Sequence, residues 1–136
     1  MARLQGDAAR RLADAVASWL SYQKLCGREH LFSEALLSQP VGEYLAGVHS
    51  GGVTLEYPHP SLPNPKRGRP RQLDVVTLSR DTQRPETAIE LKWAGKTLPT
   101  RQRLFDDLFR LECVRSPERQ GMTRFFLLAG SVAGVE

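Results

Sequence analysis

The sequence predicts an α/β chain of the mixed α+β kind, with helices packed on a mixed sheet in one domain. Three observations predict it. Apolar residues recur at three- and four-residue steps over two N-terminal segments, 7–26 and about 30–47. Three short runs rich in β-branched residues follow, Val53–Tyr57, Leu73–Leu78 and Thr87–Trp93. A further helical stretch then leads to a last apolar run, Phe125–Ala129. A chain of 136 residues suits one compact domain, and 40% hydrophobic content is enough for a core.

In the first helix Ala8, Leu12, Ala15, Val16, Trp19 and Leu20 form the apolar side, while Arg10, Arg11 and Asp14 form the other. Asp7 is placed to cap its start and Gly27 to stop it. Leu31, Ala35, Leu37, Val41, Tyr44, Leu45 and Val48 form the apolar set of the second helical region. Pro40 should kink that region or open a new first turn, because it has no N–H to donate. His49–Gly52 reads as a turn, and the stretch from Pro58 to Arg71, with five prolines, as a loop. Ser79–Glu86 is a polar connection suited to a hairpin. Pro99 is placed to open the third helix, with Leu104, Leu108, Leu111 and Val114 on one stripe, and Ser116-Pro117 to end it. Phe125–Ala129 is nearly all apolar, the pattern of a strand buried on both faces.

Bulk properties narrow the function classes. The formal net charge is +4, compatible with a polyanionic partner, and four of the cations (Lys66, Arg67, Arg69 and Arg71) fall within six residues. Cys26 and Cys113 are far apart and the three histidines are scattered, so neither a zinc site nor a disulfide framework is expected. The N-terminus lacks an apolar signal core and no run approaches the ~18 apolar residues of a membrane span. A cytoplasmic chain with no membrane partner is expected, with association with the nucleoid left open. There is no Gly-rich phosphate cradle, so no nucleotide cofactor is expected, and no nucleophile elbow or Cys/His dyad is present.

The informative residues are charges set within apolar strands. Asp74 interrupts Leu73–Leu78, while Glu90 and Lys92 interrupt Thr87–Trp93. Burying a carboxylate there is costly unless it is paired or binds a metal. Residues two apart in a strand share a face, so Glu90 and Lys92 project together while Ile89, Leu91 and Trp93 face the core. A hairpin through Ser79–Glu86 brings Asp74 across from them. Oxygen donors without sulfur suit a hard ion such as Mg2+ or Mn2+. The plain alternative is an internal salt bridge between Lys92 and one carboxylate.

An aspartate on one strand and Glu-x-Lys on the next resemble the PD-(D/E)XK nuclease superfamily. Here they stand as Leu-Asp-Val-Val and Ile-Glu-Leu-Lys-Trp, after a glutamate-bearing helix and before a helix and a fourth strand. The resemblance covers about residues 29–130 and implies a restriction-endonuclease-like αβββαβ core over 29–136. Residues 1–28 are left as an extra N-terminal helix that packs on the core or on a partner. The proline that gives the family its name is replaced by Leu73. What the resemblance implies is a metal-dependent endonuclease acting on DNA, of restriction, repair or junction-resolving type. Asp74 and Glu90 would hold the metal with the carbonyl of Leu91, and Lys92 would orient or help deprotonate the attacking water. A further acid is implied on the first core helix, and Glu34 is favoured over Glu43. The chain also resembles archaeal-type Holliday junction resolvases, which work as dimers. That implies a homodimer, with Trp19 and Leu20 as a candidate surface. A non-catalytic binding module on the same fold is the competing reading.

The remaining candidates concern nucleic acid. Lys66, Arg67, Arg69 and Arg71 form a basic loop suited to backbone phosphates, and Arg-Gly-Arg-Pro within it resembles an AT-hook core. Arg101 and Arg103 oppose the dipole of the third helix and so invite an external anion. Arg110 follows Asp107 by three residues, so it either pairs within the helix or faces the site, toward phosphate or the first-helix glutamate. Glu56 is expected to point outward from an edge strand.

Overall fold

A computed structural model of the chain describes residues 2–114 and 122–130. The described elements are three α-helices and four strands, in the order α1 (Ala2–Leu25), α2 (Glu34–Val48), β1 (Val53–Pro58), β2 (Gln72–Leu78), β3 (Pro85–Ala94), α3 (Arg101–Glu112) and β4 (Thr123–Gly130). One sheet has the order β1-β2-β3-β4. β1 and β3 flank β2 in antiparallel pairs, and β4 runs parallel to β3. The mixed α+β class is therefore as expected, and the two strands interrupted by charges are the central ones. No helix of the described residues is long and apolar enough to cross a membrane.

The helices occupy both faces. Leu12 and Val16 of α1 and Leu37, Val41 and Leu45 of α2 pack with Val75, Ile89 and Leu91 in the larger core. On the other face Leu111 and Val114 pack with Leu73, Val76 and Ala88. Each such aliphatic side chain contributes roughly 1.5–3 kcal/mol by leaving water. α1 thus covers the core, as one of its two expected roles required.

Several boundaries differ from expectation, each for a local reason. α1 begins before Asp7, which sits within the helix and caps nothing, whereas Gly27, at φ +74, takes the left-handed turn that follows the helix. The second helical region divides. Glu29–Leu31 is a 3-10 turn that leaves Leu31 exposed, and α2 starts after Ser33, whose hydroxyl accepts from the Leu36 N–H at 3.3 Å. Pro40 opens no new helix and stays inside α2, buried against the core. Thr100, not Pro99, caps α3 by accepting from the Arg103 N–H at 3.3 Å. The α3 stripe is narrower than expected: Leu111 is buried, Leu108 faces solvent, and Val114 lies just past the helix end. Ser116-Pro117 lies outside the described residues. β4 is not buried on both faces; it is an edge strand of the described sheet, half-covered for most of its length, with Arg124 and Leu128 exposed.

Gly51 meets the hairpin that joins β2 to β3. A Cβ there would run into the Leu78 carbonyl, so the turn before β1 requires glycine.

Candidate active site

The site forms where β2 leaves β3. Their register runs from Leu78↔Pro85 to Val75↔Ile89. One step further along that register Asp74 stands across from Glu90, and here side chains replace the ladder. The Asp74 carboxylate accepts from the Leu91 N–H at 2.7 Å, and Glu34, reaching in from the start of α2, accepts from the Trp93 N–H at 3.4 Å. Two main-chain donors that another strand would satisfy are thus held by carboxylates. An extended residue points its N–H and C=O to the same side, so the Leu91 carbonyl shares the crevice with Asp74.

β1 is irregular at the same level. Its register with β2 holds on both sides of Glu56 but omits it, and Glu56 has φ +52. Val53 and Val75 join the α1/α2 core, whereas Tyr57 and Leu73 join the α3 core. Facing therefore changes across Glu56 and Asp74. A non-glycine residue held in the left-handed region is a local strain, beside the aspartate of the crevice. Glu56 itself is exposed, as expected.

Glu90 and Lys92 face α3, which supplies Asp107 and Arg110. Lys92 Nζ lies 2.7 Å from Asp107 Oδ2 and 3.2 Å from Glu34 Oε2. Arg110 Nη2 contacts Asp107 Oδ1, and Arg110 Nε faces Glu90 Oε1 at 3.7 Å. Arg110 therefore meets both expectations at once, an intrahelical pair and a place at the site. It does not tether the α2 glutamate, which Lys92 holds. The plain alternative is met in part: Lys92 does form internal salt bridges, but with Asp107 and Glu34 from the helices, while the two strand acids Asp74 and Glu90 face each other.

That arrangement leaves the acid pair short of positive charge. The Glu90 side chain is 3% exposed and its Oε1 has no hydrogen-bond partner, nor does Arg110 Nε. Burial, followed by the charge of Asp74 and a hydrogen bond to it, pushes the Glu90 carboxyl up to about 9, against a smaller lowering by Arg110. Such a carboxyl carries a proton at neutral pH and donates it toward Asp74. Burial works to lower Lys92, but Asp107 and Glu34 outweigh it and its ammonium is held above the ordinary 10.5. Lys92 is therefore held as a cation and donor by Asp107 and Glu34.

The donor set fits a hard divalent cation in one respect: an adjacent carboxylate pair with an unpartnered buried oxygen and a carbonyl alongside is neutralised by a cation as well as by a proton. Among the described residues no group of three or more His, Cys, Asp or Glu side chains is placed to hold a metal. Main-chain oxygen and water would have to complete the shell, as they commonly do for Mg2+.

The other candidates separate clearly. Glu43 is exposed and accepts from Gln39 within α2 at 3.4 Å, so of the two helix glutamates Glu34 reaches the site. Lys66, Arg67, Arg69 and Arg71 are exposed on the 59–71 loop, and Arg101 is exposed at the start of α3. The loop's stem is tied to the site by a residue that sequence reasoning passed over. His59 is buried, its Nδ1 accepts from Ser61 and Leu62, and its Nε2 donates to the Arg110 carbonyl at 2.8 Å. With Nδ1 accepting two bonds, Nε2 carries the proton. No spacing marks such a residue; the one signal was a histidine directly before the proline-rich basic segment.

No protein-family model matches the chain, and no curated protein or solved structure matches it either.

Proposed function

We propose that the protein is a Mg2+- or Mn2+-dependent nuclease that hydrolyses phosphodiester bonds of DNA, with a restriction-endonuclease-like αβββαβ core. The observation that carries the reading is the Asp74–Glu90 carboxyl pair at the splayed edge of two central strands, with Glu90 buried and facing Arg110, and Lys92 two residues further along the same strand. Structural ion pairs are normally balanced in charge. This cluster gathers four carboxyl groups (Glu34, Asp74, Glu90, Asp107) and two cations, and a divalent ion held by Asp74 and Glu90 would take the place of the Glu90 proton.

Asp74, Glu90 and the Leu91 carbonyl would hold the ion, which supplies Lewis-acid polarisation of the phosphate and of the attacking water. Lys92, kept cationic by Asp107 and Glu34, donates to water or to a phosphate oxygen and so orients attack at phosphorus. Arg110 adds positive charge where the phosphorane gains negative charge. Water forms the new P–O bond as the leaving oxygen departs. Lys66, Arg67, Arg69, Arg71 and Arg101 would track backbone phosphates, giving affinity that falls with salt and little base reading. This reading also expects a homodimer acting on DNA.

A second reading, a nucleic-acid-binding module without catalysis, draws on the absence of a three-ligand acidic group among the described residues. Calorimetric titration with Mg2+ and with Mn2+ separates the two. The nuclease reading expects binding by the parent and none by Asp74→Ala. A parent that binds neither ion overturns it in favour of the module.

A further inference from the structure

We infer that Asp107 is the positioning residue of this site: its two carboxylate oxygens divide between Lys92 and Arg110 and hold the lysine ammonium on the face of β3 that carries Glu90. The inference rests on the nuclease reading and names the residue that places its lysine. Oδ2 lies 2.7 Å from Lys92 Nζ, and Oδ1 takes Arg110 Nη2. Only 10% of the Asp107 side chain is exposed, so water screens the pair weakly. Glu34 competes for the same ammonium from 3.2 Å but with 46% of its side chain in solvent, where an ion pair holds less firmly.

The division of labour follows from the chemistry of the two cations. A lysine ammonium is a point charge on a flexible stem, so its place is chosen by whatever anchors it. Arg110 is a planar fork, and fixing Nη2 on Asp107 aims Nε at Glu90 Oε1, 3.7 Å away. One carboxylate therefore sets both cations, Lys92 and Arg110, on the Glu90 face of β3. Asp107 is itself held firmly, because α3 is capped by Thr100 and packed through Leu111.

The test compares the parent with Asp107→Asn, which keeps volume and loses charge, and Asp107→Glu, which keeps charge on a longer arm. Two readouts are taken: acetylation of Lys92 in the metal-free protein, followed by mass spectrometry against exposed Lys66 and Lys96, and steady-state cleavage of DNA with Mg2+. The parent should protect Lys92. Asp107→Asn should label it roughly tenfold faster, the loss expected for one buried charged contact, and lower kcat with KM near the parent's. Asp107→Glu should fall between the two on both readouts. Unchanged Lys92 protection in Asp107→Asn overturns the inference, whatever the cleavage rate. A parent that cleaves nothing while Lys92 protection still depends on Asp107 overturns the nuclease reading and leaves the positional assignment standing. Should Asp107→Asn fail to fold, Asp107→Glu decides alone: protection and kcat equal to the parent's overturn the inference.

Discussion

The two faces of the sheet are built on the same central strands and differ in what they bury. Toward α1 and α2, β2 and β3 present Val75, Ile89 and Leu91 to a cluster of eight buried residues, all of them aliphatic. Toward α3 they present a smaller apolar cluster of five, with buried Glu90 beside it and Asp107 closing from the helix. The first face gains free energy from almost every contact it makes. The second leaves Glu90 Oε1, Asp107 Oδ2 and Arg110 Nε without hydrogen bonds, with Asp107 Oδ2 and Arg110 Nε in ion pairs only, a cost that a purely structural interface has no reason to keep. The alternation of a strand lets one chain segment do both: odd residues of β3 build the scaffold and even ones build the site.

The difference can be broken from either side. On the scaffold face Leu37 is fully buried, so Leu37→Ala should cost about 2–5 kcal/mol in urea unfolding. A cost well under 1 kcal/mol would mean that this face is not what holds the fold. On the site face Glu90→Gln should act in the opposite sense. The Glu90 carboxyl rises from 4.5 to about 9 in the fold, so the folded state favours its proton. Its contribution to stability is complete below pH 4.5 and is lost as pH rises toward about 9. The metal-free parent should weaken across that window, and Glu90→Gln should remove most of the slope, gaining on the order of 1–3 kcal/mol at pH 8. Equal slopes for parent and variant would show that Glu90 does not carry this charge burial.

Smaller effects refine the boundary between the faces. Glu56 stands at φ +52 where the facing of β1 and β2 changes, so Glu56→Gly should relieve backbone strain and stabilise by about 1 kcal/mol or less. A loss of stability instead would show that the Glu56 side chain makes a contact the strand needs. Glu43, exposed and bonded only to Gln39 among the described residues, should tolerate Glu43→Gln with no change in metal binding or in thermal unfolding. A change in metal binding would move the helix acid from Glu34 to Glu43.

Much of this asymmetry could be read from residue order. Asp74 breaks one apolar run, Glu90 and Lys92 break another at a two-residue spacing, and Glu34 stands ahead of an apolar stretch on the second helix. Those signals are local, which is why they survive without coordinates. Asp107 and His59 were not legible as site residues. Asp107 pairs with Arg110 at ordinary helical spacing, and nothing local distinguishes that from a solvated pair until β3 is packed beneath it. His59 acts through main-chain atoms of Ser61, Leu62 and Arg110, and such partners leave no pattern of residue types. The half-open state of β4 was misread for a related reason: an apolar run does not reveal whether a neighbouring strand covers it.

The most direct measurement is cleavage of a panel of linear, nicked, branched and single-stranded DNA, with RNA alongside, in Mg2+ or Mn2+. The account predicts metal-dependent cutting of at least one DNA form by the parent, reduced about 100-fold or more in both Glu90→Ala and Lys92→Ala. Cutting that survives equally in both variants would contradict it.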